Sequence, residues 1–328
     1  MGHELVLIKS GKKYNITELV GNLSWGSNID AVSEELTFDY AYNDYENIKK
    51  YDIIELGDTV ILFNEGKALH RYKIMDESVN GRVSKSYTCY DYAFYLNSNK
   101  TIIQFKGIPA SDAISKLCDK FNIKHNISPM STSIKQIYKE EVINTINDIM
   151  DQVKKETGSK YRMEMVDDTL TIKKQTDLLI KPMVRNSSIT PLFPVTSAIS
   201  NPSKSTSVVE MKNKVIVATS DDKSTKIFAE SSDTANIKKY GLLTEIITVD
   251  AKEAAQARNI AKNTLADLNK AVEDVSLDLL GHDDIKAGRL MDFNEPITGV
   301  IGRYLIKSAA HSEANGLHKV SVQLEKVS

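Results

Sequence analysis

The chain has 328 residues, a length that accommodates about two domains, each with a core of its own. Hydrophobic residues make up 41% and charged residues 26%, as in a soluble globular protein, and no long apolar run predicts a transmembrane helix or membrane anchor. The formal net charge is −2, and no large segment has the basic excess expected of a protein that binds nucleic acid specifically.

Cys89 and Cys118 are the only cysteines, which is too few for a disulfide framework or a CxxC site. Both lie in apolar patterns, so we expect buried free thiols in a reducing cytoplasm. The first residues lack the basic start and apolar stretch of a signal peptide, and we do not expect secretion by that route.

Residues 1–100 predict short strands joined by turns. Ser10-Gly11-Lys12 and Asn64-Glu65-Gly66-Lys67 each lie between apolar runs, a pattern typical of β-hairpins. We therefore predict an antiparallel β-barrel or sandwich over 1–100, completed by strands within 205–235. One apolar strand face alternates with polar residues and consists of Leu36, Phe38, Tyr40 and Tyr42.

The period changes to that of helices in an α+β insert over residues 101–182. One helix is predicted after Pro109, because proline is tolerated where a helix begins. A second helix is predicted to end at Gly158, a residue suited to a C-terminal cap. A β-hairpin with a turn at Asp167-Asp168 follows, and we expect both helices to pack on it.

Residues 183–207 are predicted to be a connector, since 187–207 is rich in Ser, Thr and Pro. A second β-domain with one helix is predicted over 240–328. That helix is expected within 250–272, where Asp250 and Glu253 resemble an N-terminal capping box. It could flank the β-domain or form a docking surface, and the sequence leaves both open.

No catalytic, cofactor or metal site is predicted. Serine-hydrolase, dinucleotide-binding and P-loop motifs are absent from the sequence, and no histidine lies in a metal-binding motif. His311, Glu313 and His318 lie near one another, but we interpret them as exposed strand ends beside a turn at Ala314-Asn315-Gly316. The acidic pairs are interpreted as turn residues, and they are Asp167-Asp168, Asp221-Asp222 and Asp283-Asp284.

Tyrosine is the most abundant aromatic residue, with 14 copies against 8 Phe and 1 Trp. Tyrosine suits both wet interfaces and strand-rich cores, and both interpretations stay open. The tyrosines cluster in two segments, at Tyr40, Tyr42, Tyr45 and Tyr51 and at Tyr87, Tyr90, Tyr92 and Tyr95.

The order of these parts resembles the baseplate hub family of contractile phage tails and phage-tail-like bacteriocins. The resemblance covers nearly the whole chain, although the glycine-rich spacing of the family is replaced by Ser and Thr between 187 and 207, which leaves the domain edges open. Near the start, the resemblance is carried by Leu23–Trp25, Leu36–Phe38, Leu56–Asp58 and Val60. In the middle it is carried by Ser86–Leu96, Phe105, Ala113–Cys118 and Phe121–Ile123. At the end it is carried by Gly288, Leu290-Met291, Gly302, Tyr304–Ile306, His311 and the strand after Gly316.

The resemblance implies two tail-tube-like β-domains per chain and a homotrimer. Three chains would then present six β-domains to the hexameric tail tube, or a tube-initiator protein, and a threefold platform to the spike. Other baseplate proteins are further expected partners. The resemblance thus implies that the protein is a non-enzymatic symmetry adaptor, which is assembled in the bacterial cytoplasm and located in a virion or tail-like particle.

Two other functions remain open from the residues alone. One is a tail-associated cell-wall hydrolase, which needs an acid and a base or a metal that the motifs do not provide. The other is a receptor-binding β-protein of the tail tip. The sequence does not distinguish a phage from a headless bacteriocin, identify the target bacterium, or show which residues contact the tube and spike.

Overall fold

A computed structural model describes residues 2–41, 52–185, 190–221, 223–314 and 317–327. The fold is α+β and mainly β, which confirms the predicted class. Several residues used in the sequence predictions lie outside the described residues, namely Tyr42, Tyr45, Tyr51, Asp222, Asn315 and Gly316.

The first β-region is an antiparallel sheet that surrounds one hydrophobic core. Both predicted hairpins are confirmed: Ser10 and Gly11 form one turn with positive φ, and Glu65 and Gly66 form the other. The predicted face of Leu36, Phe38 and Tyr40 is buried. The strands are β1 (Glu4–Lys9), β2 (Lys12–Asn15), β3 (Val20–Asn28), β4 (Glu35–Ala41), β5 (Thr59–Asn64), β6 (Lys67–Asn80) and β7 (Ser84–Tyr90), with a 3-10 helix at Thr17–Leu19.

The α+β insert has its own core, in which Ile114 and Leu117 of one helix meet Ile146 and Ile149 of another. Gly158 ends the second helix in the left-handed conformation, at φ 72°, as predicted. The elements are α1 (Phe94–Ser98), β8 (Lys100–Gln104), β9 (Ile108–Pro109), α2 (Ala110–Lys120), β10 (Lys124–Ile127), β11 (Ser133–Ile134), β12 (Ile137–Glu141), α3 (Val142–Thr157), β13 (Tyr161–Val166) and β14 (Thr169–Lys174), followed by a 3-10 helix at Gln175–Asp177.

The Ser/Thr/Pro-rich connector differs from the prediction because part of it is a long strand. Its elements are β15 (Met183–Val184), β16 (Phe193–Pro194), a 3-10 helix at Val195–Ser197 and β17 (Ser200–Ser207). β17 lies at the end of the large sheet and its residues are mostly exposed. A strand in this position needs backbone pairing on one side only, so polar side chains and Pro202 are compatible with it.

Strands within 205–235 do not complete the first β-region, in contrast to the prediction. Lys214–Thr219 and Ile227–Ser232 form a separate three-stranded sheet with Thr244–Val249, and the buried valines of this sheet pack against a helix. The predicted helix within 250–272 is shorter and packs on this sheet, since it supplies the small and apolar residues that cover Val215 and Val217. The elements are β18 (Lys214–Thr219), β19 (Ile227–Ser232), α4 (Thr234–Tyr240), β20 (Thr244–Val249), a 3-10 helix at Ala251–Gln256 and α5 (Ala257–Leu268).

The second β-region forms one continuous sheet with the first. Its strands are β21 (Val272–Leu280), β22 (Leu290–Glu295), β23 (Val300–Ala314) and β24 (Leu317–Lys326). The twelve-stranded sheet has the order β17-β21-β24-β23-β3-β4-β7-β6-β5-β1-β2, and β22 pairs with β23. This path does not close into a barrel among the described strands.

Strand β23 is the element that joins the two β-regions. Residues 300–305 pair with β22, whereas residues 308–313 pair with β3 of the first region. Each region retains a separate core, one around Phe38 and Tyr87 and one around Phe293 and Tyr304. The backbone hydrogen bonds of one strand thus set the orientation of the two regions.

Candidate functional site

Where β3 meets β23, the strand register brings together residues that are far apart in sequence. Trp25 lies opposite His311, and Glu313, two residues further along β23, lies opposite His318 of β24. Because alternate residues of a strand share a face, these four side chains lie on the same side of the sheet. Two residues from outside the sheet complete what we call the histidine cluster, which consists of His3, Trp25, Asp283, His311, Glu313 and His318.

This position corrects the interpretation of His311 and His318 as exposed strand ends. His311 is 3% exposed and stacks on the Trp25 ring, with 5.0 Å between ring centroids. His311 Nε2 donates to the carbonyl oxygen of Ile285 at 2.7 Å, because a carbonyl can only accept. In a neutral ring His311 Nδ1 is then the acceptor, and His318 Nε2 donates to it at 2.9 Å.

The pKa values of the two sheet histidines favour these neutral rings. Burial, with a smaller contribution from His318, lowers the pKa of His311 to about 3. Burial and the nearby His3 lower the pKa of His318 to about 4. Both rings are therefore uncharged at neutral pH, as the hydrogen-bond chain requires.

His3 has the opposite character because it lies between two carboxylates. Its Nδ1 is 2.5 Å from Glu313 Oε2 and its Nε2 is 2.8 Å from Asp283 Oδ1. Burial opposes protonation, but the hydrogen bonds to the two carboxylates outweigh it and raise the pKa of His3. Asp283 and Asp284 lie in a turn, as predicted, but Asp283 also bonds outside it, since it accepts from Asn64 Nδ2 at 2.7 Å.

We call the contact between the two β-regions and the segment between β21 and β22 the junction. A second polar group, the carboxylate network, lies deeper in the junction and consists of Glu34, His70, Asp91 and Lys286. Lys286 Nζ is 3.3 Å from Glu34 Oε1, and His70 Nε2 is 3.4 Å from Asp91 Oδ2. Burial raises the pKa of Glu34, but the charges of Lys286 and His70 outweigh this effect and lower the pKa to about 2. The network ties the first β-region to the segment between β21 and β22.

The insert is attached to the same segment through β13. Arg289 Nη2 pairs with Glu164 at 2.8 Å, and Arg162 donates from Nη1 to the carbonyl oxygen of Ile29 at 2.9 Å. Arg162 also packs directly over Gly288, where an added Cβ would lie 2.6 Å from Arg162 Cδ. Only glycine fits here, both because of this contact and because φ is +84°.

The remaining sequence candidates are structural. Cys89 and Cys118 are fully buried, as expected, and burial raises the pKa of both thiols, that of Cys118 to about 12. Asp167 and Asp168 occupy the β13–β14 turn, as predicted, and pair with Arg71 and Lys124. Asp221 accepts a backbone hydrogen bond in its own turn.

The second tyrosine cluster combines core and surface residues. Tyr87 is 1% exposed, whereas Tyr95 is 39% exposed. Tyr90 and Tyr92 lie between these extremes. The core interpretation therefore holds for Tyr87, and the interface interpretation stays open for Tyr95.

The chemistry of the junction is that of a buried polar clamp. The histidine cluster and the carboxylate network connect regions that belong to distant parts of the chain. Burying such groups is favourable only when they are paired, so the pairs hold these regions in one relative position.

Within the described part of the chain, the helices are all too short or too polar to cross a membrane.

Solved structures with this fold are proteins of phage tails and of a related secretion system. A tail protein from Neisseria meningitidis MC58 matches with a TM-score of 0.69 at 13% identity, over 99% of this chain and 97% of its own. The 43 kDa tail protein of prophage MuSo2 from Shewanella oneidensis matches at 0.69 and 14% identity, over 98% of both chains. The E. coli c3393 protein, described as a type VI secretion component similar to the T4 tail proteins gp27 and gp5, matches at 0.54 and 8% identity, over 94% of this chain and 74% of its own.

The chain thus has the fold of phage tail proteins. A family model described as YQBQ-like matches residues 23–325, and the chain belongs to this family. The uncharacterized protein YqbQ of Bacillus subtilis strain 168 is 25% identical over 280 residues, which span 84% of this chain and 82% of that protein.

Proposed function

We propose that the chain is a non-enzymatic baseplate hub of a contractile injection system. In this role it forms a trimeric adaptor between a hexameric tail tube and a trimeric spike, and it nucleates assembly of the tube. The fold shared with tail proteins over nearly the whole chain supports a structural role in a tail. The likeness to a secretion component that itself resembles gp27 and gp5 supports a place near the spike.

The observation that carries the proposal is the pair of β-regions on one continuous sheet. Each region has its own core, and β23 pairs with strands of both. One chain can therefore present two β-units at a constant spacing, and three chains present six. Adaptation between threefold and sixfold symmetry needs a doubled unit of this kind, held rigidly so that the contacts around a ring repeat.

The junction supplies the rigidity that this role requires. Glu34 and Lys286 join the first β-region to the loop before β22, and Arg289 and Glu164 join that loop to the insert. The expected partners are the tail tube or its initiator, the spike and other baseplate proteins. We infer assembly in the bacterial cytoplasm and a final location in a virion or tail-like particle.

The direct test is the native mass of the purified chain, alone and mixed with the tube and spike proteins encoded beside it. A homotrimer, or a complex with three copies that forms only with those partners, is the expected result. Quantitative mass spectrometry of purified particles should likewise give three copies for each spike trimer. A chain that stays monomeric with both partners, or a copy number that is not three, contradicts the proposal.

A core substitution tests whether particle assembly depends on the first β-region. Phe38, 1% exposed on β4, is replaced in Phe38→Asp, and we expect no assembled baseplates by electron microscopy. Glu35→Gln, on the exposed side of the same strand, is the matched control and should leave particles normal. Normal particles from Phe38→Asp would contradict the role. Peptidoglycan release by the purified chain would favour the hydrolase alternative.

A further inference from the structure

His3, Asp283 and His318 of the histidine cluster bring three atoms of the kinds that bind metal ions close together. Each offers one nitrogen or oxygen, and these three atoms lie within 4.8 Å of one another. They come from three separate places in the chain: the residue before β1, the segment after β21, and β24. Their convergence is a product of the tertiary fold.

The hydrogen bonds around the three residues leave one nitrogen or oxygen atom of each residue available to bind a metal ion. His318 uses Nε2 to donate to His311, whose own Nε2 bonds the carbonyl oxygen of Ile285. A neutral His318 therefore carries its lone pair on Nδ1, the nitrogen that a metal ion binds. The buried chain of bonds orients the ring, as outer partners do in metal sites.

His3 and Asp283 have equivalent outer partners. Glu313 bonds His3 Nδ1 at 2.5 Å, so Nε2 is the nitrogen that faces Asp283 Oδ1. Asn64 Nδ2 donates to the other oxygen of Asp283 at 2.7 Å and holds the carboxylate in place. A carboxylate on one histidine nitrogen with a metal on the other is the common arrangement of histidine ligands.

The backbone near the site is shaped around one of the ligands. A Cβ added to Gly281 would lie 2.0 Å from Cγ of His318, so the ring occupies space that only glycine leaves free. Asp283 lines a cleft of about 440 Å³ between the β5–β6 hairpin, β13 and this segment. Of the three proposed ligands, Asp283 is the one that lines this cleft.

We propose that His3 Nε2, His318 Nδ1 and Asp283 Oδ1 bind one zinc ion, with water in the fourth position. Two imidazoles and a carboxylate are a donor set that zinc accepts. Bond lengths of about 2.0–2.2 Å require ligand atoms roughly 3.4 Å apart, so small side-chain rotations suffice to close the site. The ion takes the place of the proton between His3 and Asp283, and that proton is released to solvent.

The proposed ion would connect separate segments of the chain, even though its three protein ligands leave the fourth position to water. Trp25 packs against His3 with 4.5 Å between ring centroids, and the side chain of His3 is 3% exposed, so the site has little room for a substrate. The ion would secure the segment before β1 to the second β-region. This inference goes beyond the hub proposal and is tested on the isolated chain.

The test is calorimetric titration of the full chain, without an affinity tag, using zinc chloride after removal of bound metal by a chelator and dialysis. We expect one zinc per chain and at least about tenfold weaker binding in His318→Ala and Asp283→Asn. His125→Ala is the matched control, since His125 lies on β10 outside the cluster, and it should bind like the parent chain. No stoichiometric binding, or equal loss in the control, would overturn the proposal.

Cobalt(II) binding to the unaltered chain provides a second measurement that does not depend on how the variants fold. A four-coordinate site gives intense visible absorption, which zinc should abolish when it displaces cobalt. Weak absorption typical of a hydrated six-coordinate ion would overturn the proposal. Circular dichroism of the variants shows whether a loss of binding reflects a loss of fold.

Discussion

Replacing Glu34 with glutamine is expected to weaken the junction and to remove part of its acid sensitivity. Glu34 is 7% exposed, and Lys286 Nζ lies 3.3 Å from its carboxylate. Burial raises its pKa, but Lys286 and His70 outweigh this and lower the pKa from 4.5 to about 2. A difference of that size corresponds to a stabilisation of about 3 kcal/mol at neutral pH.

The sign of the pH dependence follows from the lower pKa in the folded state. The unfolded chain binds this proton more readily, so the stabilisation by Glu34 is complete above its ordinary pKa of 4.5. It is lost as the pH falls from there towards about 2. The difference in unfolding free energy between the parent chain and Glu34→Gln should therefore be largest at neutral pH and shrink in acid.

The assay is urea unfolding followed by the fluorescence of Trp25, the single tryptophan, which lies at the junction. Asp292→Asn is the control, because Asp292 and Arg303 form an ion pair with both side chains 45% exposed. This exposed pair should contribute less than about 1 kcal/mol. If Glu34→Gln shows the same difference from the parent chain at about pH 7 and about pH 3, the reasoning about Glu34 is refuted.

Two further predictions concern Gly288 and the cysteines. Gly288→Ala should lower the free energy of unfolding by at least about 1 kcal/mol more than Gly299→Ala, because both glycines have positive φ but only Gly288 contacts Arg162. Equal losses in thermal unfolding of the two variants would contradict this. Cys89 and Cys118 should resist iodoacetamide in the folded protein and react fully in urea, since burial raises the pKa of both thiols; mass spectrometry showing rapid labelling without denaturant would disprove their burial.

The elements that the sequence predicted well are those defined by local patterns. The Ser10-Gly11 turn follows from a glycine between two apolar runs, because glycine adopts positive φ readily. The two insert helices follow from apolar residues at helical spacing, and Gly158 ends the second at the predicted position. Each of these features depends on neighbours within a few residues, which a sequence pattern records directly.

The errors concern pairing over long distances. β17 is polar and resembles a loop by composition, yet it pairs with β21 because a sheet edge needs only backbone groups. The sequence predicts that β18 completes the first β-region, but β18 pairs in parallel with β20, about thirty residues later in the chain, and α5 covers it. Alternating valines in β18 indicate a buried face without specifying what buries it.

The polar junction between the two β-regions is not predictable from the sequence for the same reason. His3 and Trp25 have no neighbours in sequence that indicate a site, Asp283 belongs to an acidic pair typical of a turn, and the spacing of His311 and His318 indicates the two sides of a turn. Their contacts depend on the register between β3 and β23. The contact between Trp25 and His311 can be inferred only when that register is known.

Local patterns in the sequence specify the strand-rich regions, the hairpin turns, the helical insert and the buried cysteines, because periodicity and turn chemistry act over a few residues. The strands that share the large sheet, the packing of α5 and the polar groups buried together depend on the tertiary structure. Those outcomes depend on pairing between distant segments, where backbone hydrogen bonds are chemically alike and only the packing of the whole chain selects among them.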